Sequence, residues 1–233
     1  MRSFFHYVAY HLTKWAAKGL FACVTRIRVL HRAEAQDPGP FILAANHISH
    51  FDPPILAAIV RRKVDWMAMA ELFPHPVLGR VLRAIECLPA DRHRANRATI
   101  RDAINRLRRG RIIGMFPEGG IRDGIGSVLE GAALRPGVST LAHIAKVPIL
   151  PCVILGSDRL YAKANWLPLR RTPIWVAFGR PIPPYPDLEK SEARARTEQE
   201  LAAAFQSLYA EMREKFALSP DDLPHPPQQR ISK

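Results

Sequence analysis

The chain has 233 residues and three widely spaced cysteines, which predicts one domain with a substantial core in a reducing compartment and argues against a disulfide framework or a Cys-x-x-Cys metal site. Its formal net charge of +13 indicates anionic partners, a class that includes nucleic acid, an anionic bilayer and phosphorylated ligands. Glycine-rich phosphate loops, dinucleotide-binding glycine motifs and Gly-x-Ser-x-Gly elbows are all missing, which argues against nucleotide hydrolysis, dinucleotide redox and serine-esterase chemistry.

The first 25 residues predict an amphipathic helix at a membrane surface. Its apolar side chains fall on about a third of a helical wheel and are Phe4, Phe5, Val8, Leu12, Trp15 and Ala16. The other side carries His6, Tyr10, Lys14 and Lys18. The lysines leave no apolar run of the ~18 residues that a spanning helix needs, and they argue against a cleavable signal peptide. We predict an interfacial helix with its lysines toward lipid phosphates, and the alternative is a helix packed on the domain's own core.

Strands and helices alternate along the rest of the chain, which predicts a single α/β domain over residues 26–218 with a mixed, largely parallel sheet flanked by helices. The predicted strands are 25–31, 40–45, 64–70, 85–89, 111–116, 147–155 and 172–180. The predicted helices are 53–60, 71–84, 95–109, 137–146 and 189–218. Residues 219–233, which are rich in proline and glutamine, predict a disordered tail.

The densest chemistry of the sequence follows the apolar strand at 40–45. Asp52 is predicted to be the N-cap of the next helix, five residues after His47. The turn between them can bring the Asp52 carboxylate within hydrogen-bond distance of one imidazole nitrogen of His47. That bond would fix the tautomer and leave the other nitrogen as a general base. The alternative is that Asp52 is only a helix cap and His47 an ordinary loop histidine.

This segment, Asn46-His47-x-x-x-x-Asp52, resembles the first conserved block of the glycerolipid acyltransferases, the family that includes the 1-acylglycerol-3-phosphate acyltransferases. Three later blocks occur in the family's order. They are Leu88-Pro89-Ala90-Asp91-Arg92, Phe116-Pro117-Glu118-Gly119 and Val147-Pro148-Ile149-Leu150-Pro151. A single His-x4-Asp pair has low specificity, but four blocks in order between residues 40 and 155 are specific.

The resemblance implies a role for each matching residue. His47 would be the base and Asp52 the partner that orients it. The implied substrate-binding residues are Asn46, Arg92, Glu118, Gly119 and Arg122. The family commonly has one residue between its Phe-Pro-Glu-Gly block and an arginine that binds phosphate, whereas this chain has two before Arg122.

The implied reaction moves a fatty acyl group from acyl-CoA or acyl carrier protein to a lysophospholipid, foremost 1-acyl-sn-glycerol-3-phosphate, to give phosphatidic acid. The departure at Arg122 keeps another acceptor, such as a lyso-aminolipid, open. The resemblance implies no cofactor and no metal, with the acyl carrier as co-substrate. The partners are then a membrane surface with anionic lipids and the lysophospholipid, without nucleic acid, and the location is the cytoplasmic side of a membrane in peripheral or monotopic form.

Two rival functions follow from the residues themselves. A metal-dependent hydrolase would use His47, His50 and Asp52 as ligands, with His75 or His143 added, although this spacing is not a recognised zinc signature. A nucleic-acid-binding protein would account for the charge but not for ionisable side chains clustered at predicted strand ends.

Overall fold

The computed structural model describes residues 2–91, 96–167 and 171–231, and within them seven strands form one sheet. The strands are β1 (Thr25–Leu30), β2 (Ile42–Ala45), β3 (Val64–Met69), β4 (Leu88–Ala90), β5 (Ile112–Met115), β6 (Ile149–Leu155) and β7 (Thr172–Phe178). Their order across the sheet is β1-β7-β6-β2-β5-β3-β4.

The five strands from β6 to β4 run parallel, whereas β7 is antiparallel to β6 and parallel to β1. The predicted mixed, largely parallel sheet is therefore confirmed. Because β5 and β6 flank β2, the carboxyl ends of these three strands meet at one edge of the sheet, which we call the carboxyl edge. Open α/β sheets bind their ligands at such an edge.

Helices cover both faces of the sheet. One face carries α1 (Arg2–Val24), α2 (Asp52–Ile59) and α3 (Leu78–Ala84). The other carries α4 (Arg97–Arg108), α5 (Gly137–Ala145) and α6 (Lys190–Lys215), and α7 (Pro227–Ile231) follows near the C-terminus. Side chains alternate between the two cores along β2: Ile42 and Ala44 face the α4–α6 side, and Leu43 and Ala45 face the α1–α3 side.

The helix predicted over residues 71–84 is shorter in the structure. A 3₁₀ turn at Ala70–Leu72 comes first, and α3 begins only at Leu78. Prolines at 74 and 76 lack the backbone N–H that a continuous helix needs. The His75 ring instead accepts hydrogen bonds from the backbone N–H groups of Val77 and Leu78, at 3.3 and 3.2 Å. These bonds satisfy two donors at the beginning of α3.

The C-terminal segment, residues 219–231, is ordered, which differs from the predicted disordered tail. It contains a 3₁₀ turn at Pro220–Asp222 and then α7. Arg230 is buried, and its guanidinium donates to the carboxylate of Asp158 at 2.7 Å. The segment has few apolar residues, so ion pairs to a distant part of the chain hold it, and composition alone does not predict them.

The side of α1 that packs on the domain includes two residues of its predicted polar side, Tyr10 and Lys14. Tyr10 is buried, and its hydroxyl accepts a hydrogen bond from the backbone N–H of Val64 at 3.1 Å. Lys14 donates to the carbonyl oxygens of Val60 and Arg61, at 2.6 and 2.9 Å, where α2 ends. Burial lowers the pKa of Lys14, and neighbouring Lys18 adds to the effect. The predicted direction toward lipid phosphates is therefore wrong for Lys14, because α2 has carbonyls that need a donor.

Three residues of the predicted apolar side, Leu12, Trp15 and Ala16, face outward, whereas Phe21 and Val24 near the end of α1 are buried. Leu12 and Trp15 are 67% and 64% exposed, and the Lys18 ammonium lies over the Trp15 ring, 4.8 Å from its centre. Among the described residues, no helix combines the length and the hydropathy needed to cross a bilayer.

Candidate active site

Three loops converge at the carboxyl edge, one after each of β2, β5 and β6. Asn46 ties the first to the third, because its side-chain amide donates to the carbonyl of Ile154 at 3.0 Å and accepts from the N–H of Ile154 at 2.8 Å. Asn46 is fully buried, and both ends of its amide face the backbone of β6. This contact holds the loop that carries His47 against the neighbouring strand.

The hydrogen bond predicted between His47 and Asp52 is present, with Nδ1 of His47 2.8 Å from Oδ2 of Asp52. An ionised carboxylate can only accept, so the shared proton belongs on Nδ1 and the lone pair on Nε2. The His47 side chain is 16% exposed, whereas Asp52 is fully buried. The geometry therefore presents Nε2 as the basic atom of the pair.

Asp52 is the first residue of α2, and Phe51 is the N-cap, so the predicted capping role is wrong. Its carboxylate turns back toward the loop instead of toward the helix. Oδ2 accepts hydrogen bonds from the backbone N–H groups of Ile48 and Ser49, at 2.8 Å each, and Oδ1 accepts one from the Ser157 hydroxyl. Both oxygens of this buried carboxylate therefore accept hydrogen bonds from protein donors.

Aromatic stacking fixes the plane of the His47 ring. The ring lies on Phe116, with centres 4.0 Å apart, and Phe116 lies in turn on Trp66, with centres 5.1 Å apart. The stack depends on Gly114 of β5, since a Cβ there would lie 2.5 Å from the Trp66 ring. The imidazole is thus held by Asp52 at one edge and by Phe116 on one face.

Glu118, in the loop after β5, binds the backbone of the His47 loop. Its Oε2 accepts from the N–H of His47 at 2.5 Å, and its Oε1 accepts from the Ser127 hydroxyl at 2.8 Å and the N–H of Val128 at 3.0 Å. Burial raises the pKa of Glu118, and these donors oppose that effect. Both carboxylate oxygens therefore face protein donors, an arrangement that joins two loops of the site.

The remaining predicted site residues differ in how closely they approach His47. The N–H of Arg122 donates to the carbonyl of His47 at 2.8 Å, while the Arg122 side chain is exposed. Gly119 has a φ of +69°, and a Cβ there would lie 2.4 Å from Nε of Arg135, so the exposed Arg135 side chain crosses this glycine. Arg92 lies outside the described residues.

Several contacts at the site have no signal in the sequence. The Ser157 hydroxyl reaches Asp52 across 105 residues of chain, and Tyr161 places its hydroxyl 2.6 Å from Nδ1 of His50. The pKa of His50 is lowered, chiefly by burial and then by the nearby His47. No local motif marks Ser157, Tyr161 or Arg135; only the order of β6 beside β2 brings the first two here.

The metal-ligand set considered from the sequence is not assembled as a metal site. Within residues 2–91, 96–167 and 171–231, no group of three or more His, Cys, Asp or Glu side chains is arranged to hold a metal ion. The side chains of the set have other partners: Asp52 binds Ser157 and backbone N–H groups, and His50 binds Tyr161.

The comparisons with known proteins agree with this geometry. A family model described as Acyltransferase matches residues 26–155. The 1-acyl-sn-glycerol-3-phosphate acyltransferase of Bacillus subtilis is 28% identical over 131 residues, which are 56% of this chain and 63% of that protein. A probable 1-acyl-sn-glycerol-3-phosphate acyltransferase of Mycoplasma genitalium is 32% identical over 129 residues, which are 51% of this chain and 45% of that protein.

The chain spans less than two thirds of the length of these curated relatives. The crystal structure of the 1-acyl-sn-glycerophosphate (LPA) acyltransferase PlsC from Thermotoga maritima superimposes with a TM-score of 0.63. The match covers 90% of this chain and 81% of that one at 24% identity, and it shows a shared fold. Since the family model covers more than half of the chain and includes His47, Asp52 and Glu118, the chain belongs to the acyltransferase family.

Proposed function

We propose that this protein transfers a fatty acyl group from the thioester of acyl-CoA or acyl carrier protein to the free hydroxyl of a lysophospholipid, with 1-acyl-sn-glycerol-3-phosphate as acceptor and phosphatidic acid as product. The observation that carries the proposal is the 2.8 Å bond between Nδ1 of His47 and Asp52, which leaves Nε2 for a substrate. The names of the Bacillus and Mycoplasma relatives support the acceptor.

The chemistry requires one base and no enzyme nucleophile. Nε2 of His47 takes the proton of the acceptor hydroxyl as its oxygen attacks the thioester carbonyl. A carbon–oxygen bond forms, the tetrahedral intermediate collapses, and the carbon–sulfur bond breaks. The imidazolium then returns its proton to the departing thiolate, which leaves as a thiol. Asp52 stabilises the imidazolium and keeps the ring in the productive tautomer.

The other residues divide into supports and candidate binding groups. Asn46 and Glu118 hold the His47 loop through the contacts described above, and we assign them positioning roles. The exposed guanidinium groups of Arg122 and Arg135 are candidates for the acceptor phosphate, because both residues contact the His47 or Gly119 backbone region. Arg92 is a third candidate through the resemblance alone.

We also propose that the protein works at the cytoplasmic surface of a membrane as a peripheral or monotopic protein. The outward Leu12 and Trp15, with Leu20 at 48% exposure, offer apolar contact to the interface. Lys18 lies beside Trp15, and the net charge of +13 favours anionic lipid.

The first test measures transfer of labelled acyl groups by wild-type and His47→Ala protein. Both donors are offered, with lysophosphatidic acid and a lyso-aminolipid as separate acceptors. We expect transfer to lysophosphatidic acid and a loss of about 10²- to 10⁴-fold in His47→Ala, the usual value of a positioned base. His143→Ala, on α5, is the matched histidine control and should retain activity.

Two outcomes would contradict parts of this proposal. Retained transfer in His47→Ala would remove the mechanism, and transfer only to the lyso-aminolipid would replace the acceptor while keeping the chemistry.

The second test measures co-sedimentation with anionic and zwitterionic vesicles, and with duplex DNA, at physiological salt. We expect the wild type to bind anionic vesicles and Leu12→Ser/Trp15→Ser protein to bind them less. Ile144→Ser removes an exposed apolar side chain on the opposite face and should bind as wild type. Equal binding by the α1 variant would exclude this face, and preferential DNA binding that weakens steeply with salt would favour the nucleic-acid alternative.

A further inference from the structure

The loop after β6 contributes a hydrogen-bond donor to the second carboxylate oxygen of Asp52. Ser157 is fully buried, and its hydroxyl donates to Oδ1 of Asp52. Resting on the proposed function, we propose that Ser157 is a positioning residue for the His47–Asp52 pair and that the C-terminal segment, through Arg230, holds Ser157 in place.

The two oxygens of Asp52 are held by different parts of the chain. Oδ2 is shared by the His47 ring and the N–H groups of Ile48 and Ser49, all within the same loop. Oδ1 is held by Ser157, from the neighbouring strand's loop. A carboxylate that is hydrogen-bonded at one oxygen can still rotate about its Cβ–Cγ bond. A donor to the second oxygen fixes that rotation. Ser157 therefore sets the direction in which Oδ2 meets the imidazole.

The turn that carries Ser157 is fixed from its outer side. It begins at Gly156, whose φ is +84° and where a Cβ would lie 2.5 Å from the carbonyl oxygen of Pro173. Asp158, next in sequence, is also fully buried and accepts from Nε of Arg230 at 2.7 Å and from the N–H of His225 at 3.2 Å. Ser157 thus faces the His47–Asp52 pair, while Asp158 faces the C-terminal segment.

Further contacts show that this attachment is extensive. Arg230 also donates to the carbonyls of Asp221 and Leu223, at 3.1 and 3.0 Å, and Arg159 forms an ion pair with Asp222 at 2.5 Å. Burial raises the pKa of Asp158, and Arg230 opposes that effect as its nearest cation. Loss of Arg230 would leave a buried carboxylate without its cation, and the turn would have to move to hydrate it.

Ser139 provides a matched control for the hydroxyl. It is as buried as Ser157, and its Oγ donates to a carboxylate, that of Glu198, at 2.5 Å, on the face of the sheet that carries α5 and α6. A serine-to-alanine change there removes the same kind of bond and costs similar stability. It leaves the contacts of Asp52 intact.

The first experiment compares Ser157→Ala, Ser157→Thr and Ser139→Ala by kcat, KM and the downfield proton resonance of His47 Nδ1–H. Loss of a hydrogen bond to a charged group changes an equilibrium or rate constant by about 10- to 100-fold. We therefore expect Ser157→Ala to lower kcat by that factor at unchanged KM and to shift the resonance. Ser157→Thr, which keeps the hydroxyl, should stay closer to wild type. Ser139→Ala should change neither kcat nor the resonance.

A wild-type kcat and an unshifted resonance in Ser157→Ala would overturn the positioning role. The resonance also separates the two proposals. If no acceptor is acylated by any form of the protein, the proposed function fails, while the shift in Ser157→Ala still decides whether Ser157 orients the pair.

The second experiment is a double-mutant cycle on kcat between Ser157→Ala and Arg230→Met, with Arg230→Lys as the milder variant. If Arg230 acts through Ser157, the double variant loses no more kcat than Ser157→Ala alone. Losses that multiply would overturn the part assigned to the C-terminal segment. Arg196→Met, which breaks an exposed ion pair with Glu200, is the control and should leave kcat unchanged.

Discussion

Two fully buried aspartates lie at opposite edges of the sheet, and their surroundings differ in kind. Asp52, at the carboxyl edge, is surrounded by backbone N–H groups, a serine hydroxyl and one histidine. Asp65, the second residue of β3, lies at the amino edge among permanent cations. Its Oδ1 is 2.5 Å from Arg111, 3.6 Å from Arg106 and 3.8 Å from Lys63.

The cations at the amino edge also serve Glu86. Burial would raise the pKa of Glu86, but Lys63 and Arg111 outweigh it and lower the pKa to about 2. Asp65 shows the opposite balance, since burial raises its pKa despite Arg111, Arg106 and Lys63. In this cluster the carboxylates of Asp65 and Glu86 are paired with lysine and arginine side chains.

The difference explains how one sheet provides both stability and a proposed reaction site. At the carboxyl edge the donors to Asp52 are backbone N–H groups, a serine hydroxyl and the imidazole of His47, which is the proposed base. At the amino edge Asp65 and Glu86 are each paired with Lys63 and Arg111. We therefore expect changes at Asp52 to affect turnover and changes at Asp65 to affect folding.

The largest expected effect is on kcat and comes from a substitution at the carboxyl edge alone. Asp52→Asn keeps the shape but removes the charge and presents an N–H₂ group that cannot accept from the surrounding donors. By analogy with catalytic triads, we expect kcat to fall by about 10³- to 10⁴-fold while the circular dichroism spectrum stays native. A kcat near that of the wild type would show that the imidazole does not need this carboxylate.

The next largest effect is on the free energy of unfolding and comes from a substitution at the amino edge. Asp65→Asn leaves Arg111 and its neighbours without their buried counter-charge, and loss of one partner of such a pair costs about 3–5 kcal/mol. Urea unfolding measures this loss, and kcat per folded molecule should remain that of the wild type. Glu211→Gln, which removes the partner of the partly exposed His31, is the control and should cost less than about 1 kcal/mol. A loss of kcat in folded Asp65→Asn protein would contradict the division between the edges.

A smaller effect tests the physical link between the edges. Trp66 follows Asp65 in β3 and lies under Phe116, which lies under His47. Gly114→Ala would drive a methyl group into the Trp66 ring, at a cost of about 1–3 kcal/mol for overpacking. We expect both the unfolding free energy and kcat to fall, and an unchanged kcat would show that the stack does not orient His47.

The smallest effect is the pH dependence of Glu86. Because its pKa is lowered in the folded protein, its stabilising effect is present above the unfolded value of 4.5 and disappears as the pH falls toward about 2. Asp65 acts in the opposite direction, since a raised folded pKa favours the folded state as the pH falls. The unfolding free energy of Glu86→Gln should therefore decrease less than that of the wild type between pH 4.5 and 2. Parallel curves would assign the acid sensitivity to another group.

The sequence predicted the features that depend on local pattern. Short apolar runs predicted the strands, because a strand buried on both faces is apolar along its whole length. The alternation of these strands with helices predicted the parallel sheet, because parallel neighbours are joined by helical crossovers. The His47–Asp52 hydrogen bond was predictable because five residues of turn connect the partners. The exact helical position of Asp52 was not, since Phe51 lies one residue earlier with no capping side chain.

Features that depend on distant partners escaped prediction. Periodicity showed two sides of α1 but not which one packs on the domain. The packing depends on the carbonyls at the end of α2, which accept hydrogen bonds from Lys14. The order of the C-terminal segment depends on Arg230 and Asp158, which are separated by 72 residues. Ser157 joins the site because β6 lies next to β2, a neighbour relation that no local motif encodes.

Besides the stacking on Phe116, His47 is held by hydrogen bonds at three points. Its N–H donates to Glu118, its carbonyl accepts from the N–H of Arg122, and its ring is bound by Asp52. A residue fixed in this way loses its backbone and rotamer entropy when the chain folds, so little remains to be lost when a substrate arrives. Under the proposed function, binding energy from the acyl chain or the head group is then free to orient the substrate, because the proposed base already has its direction.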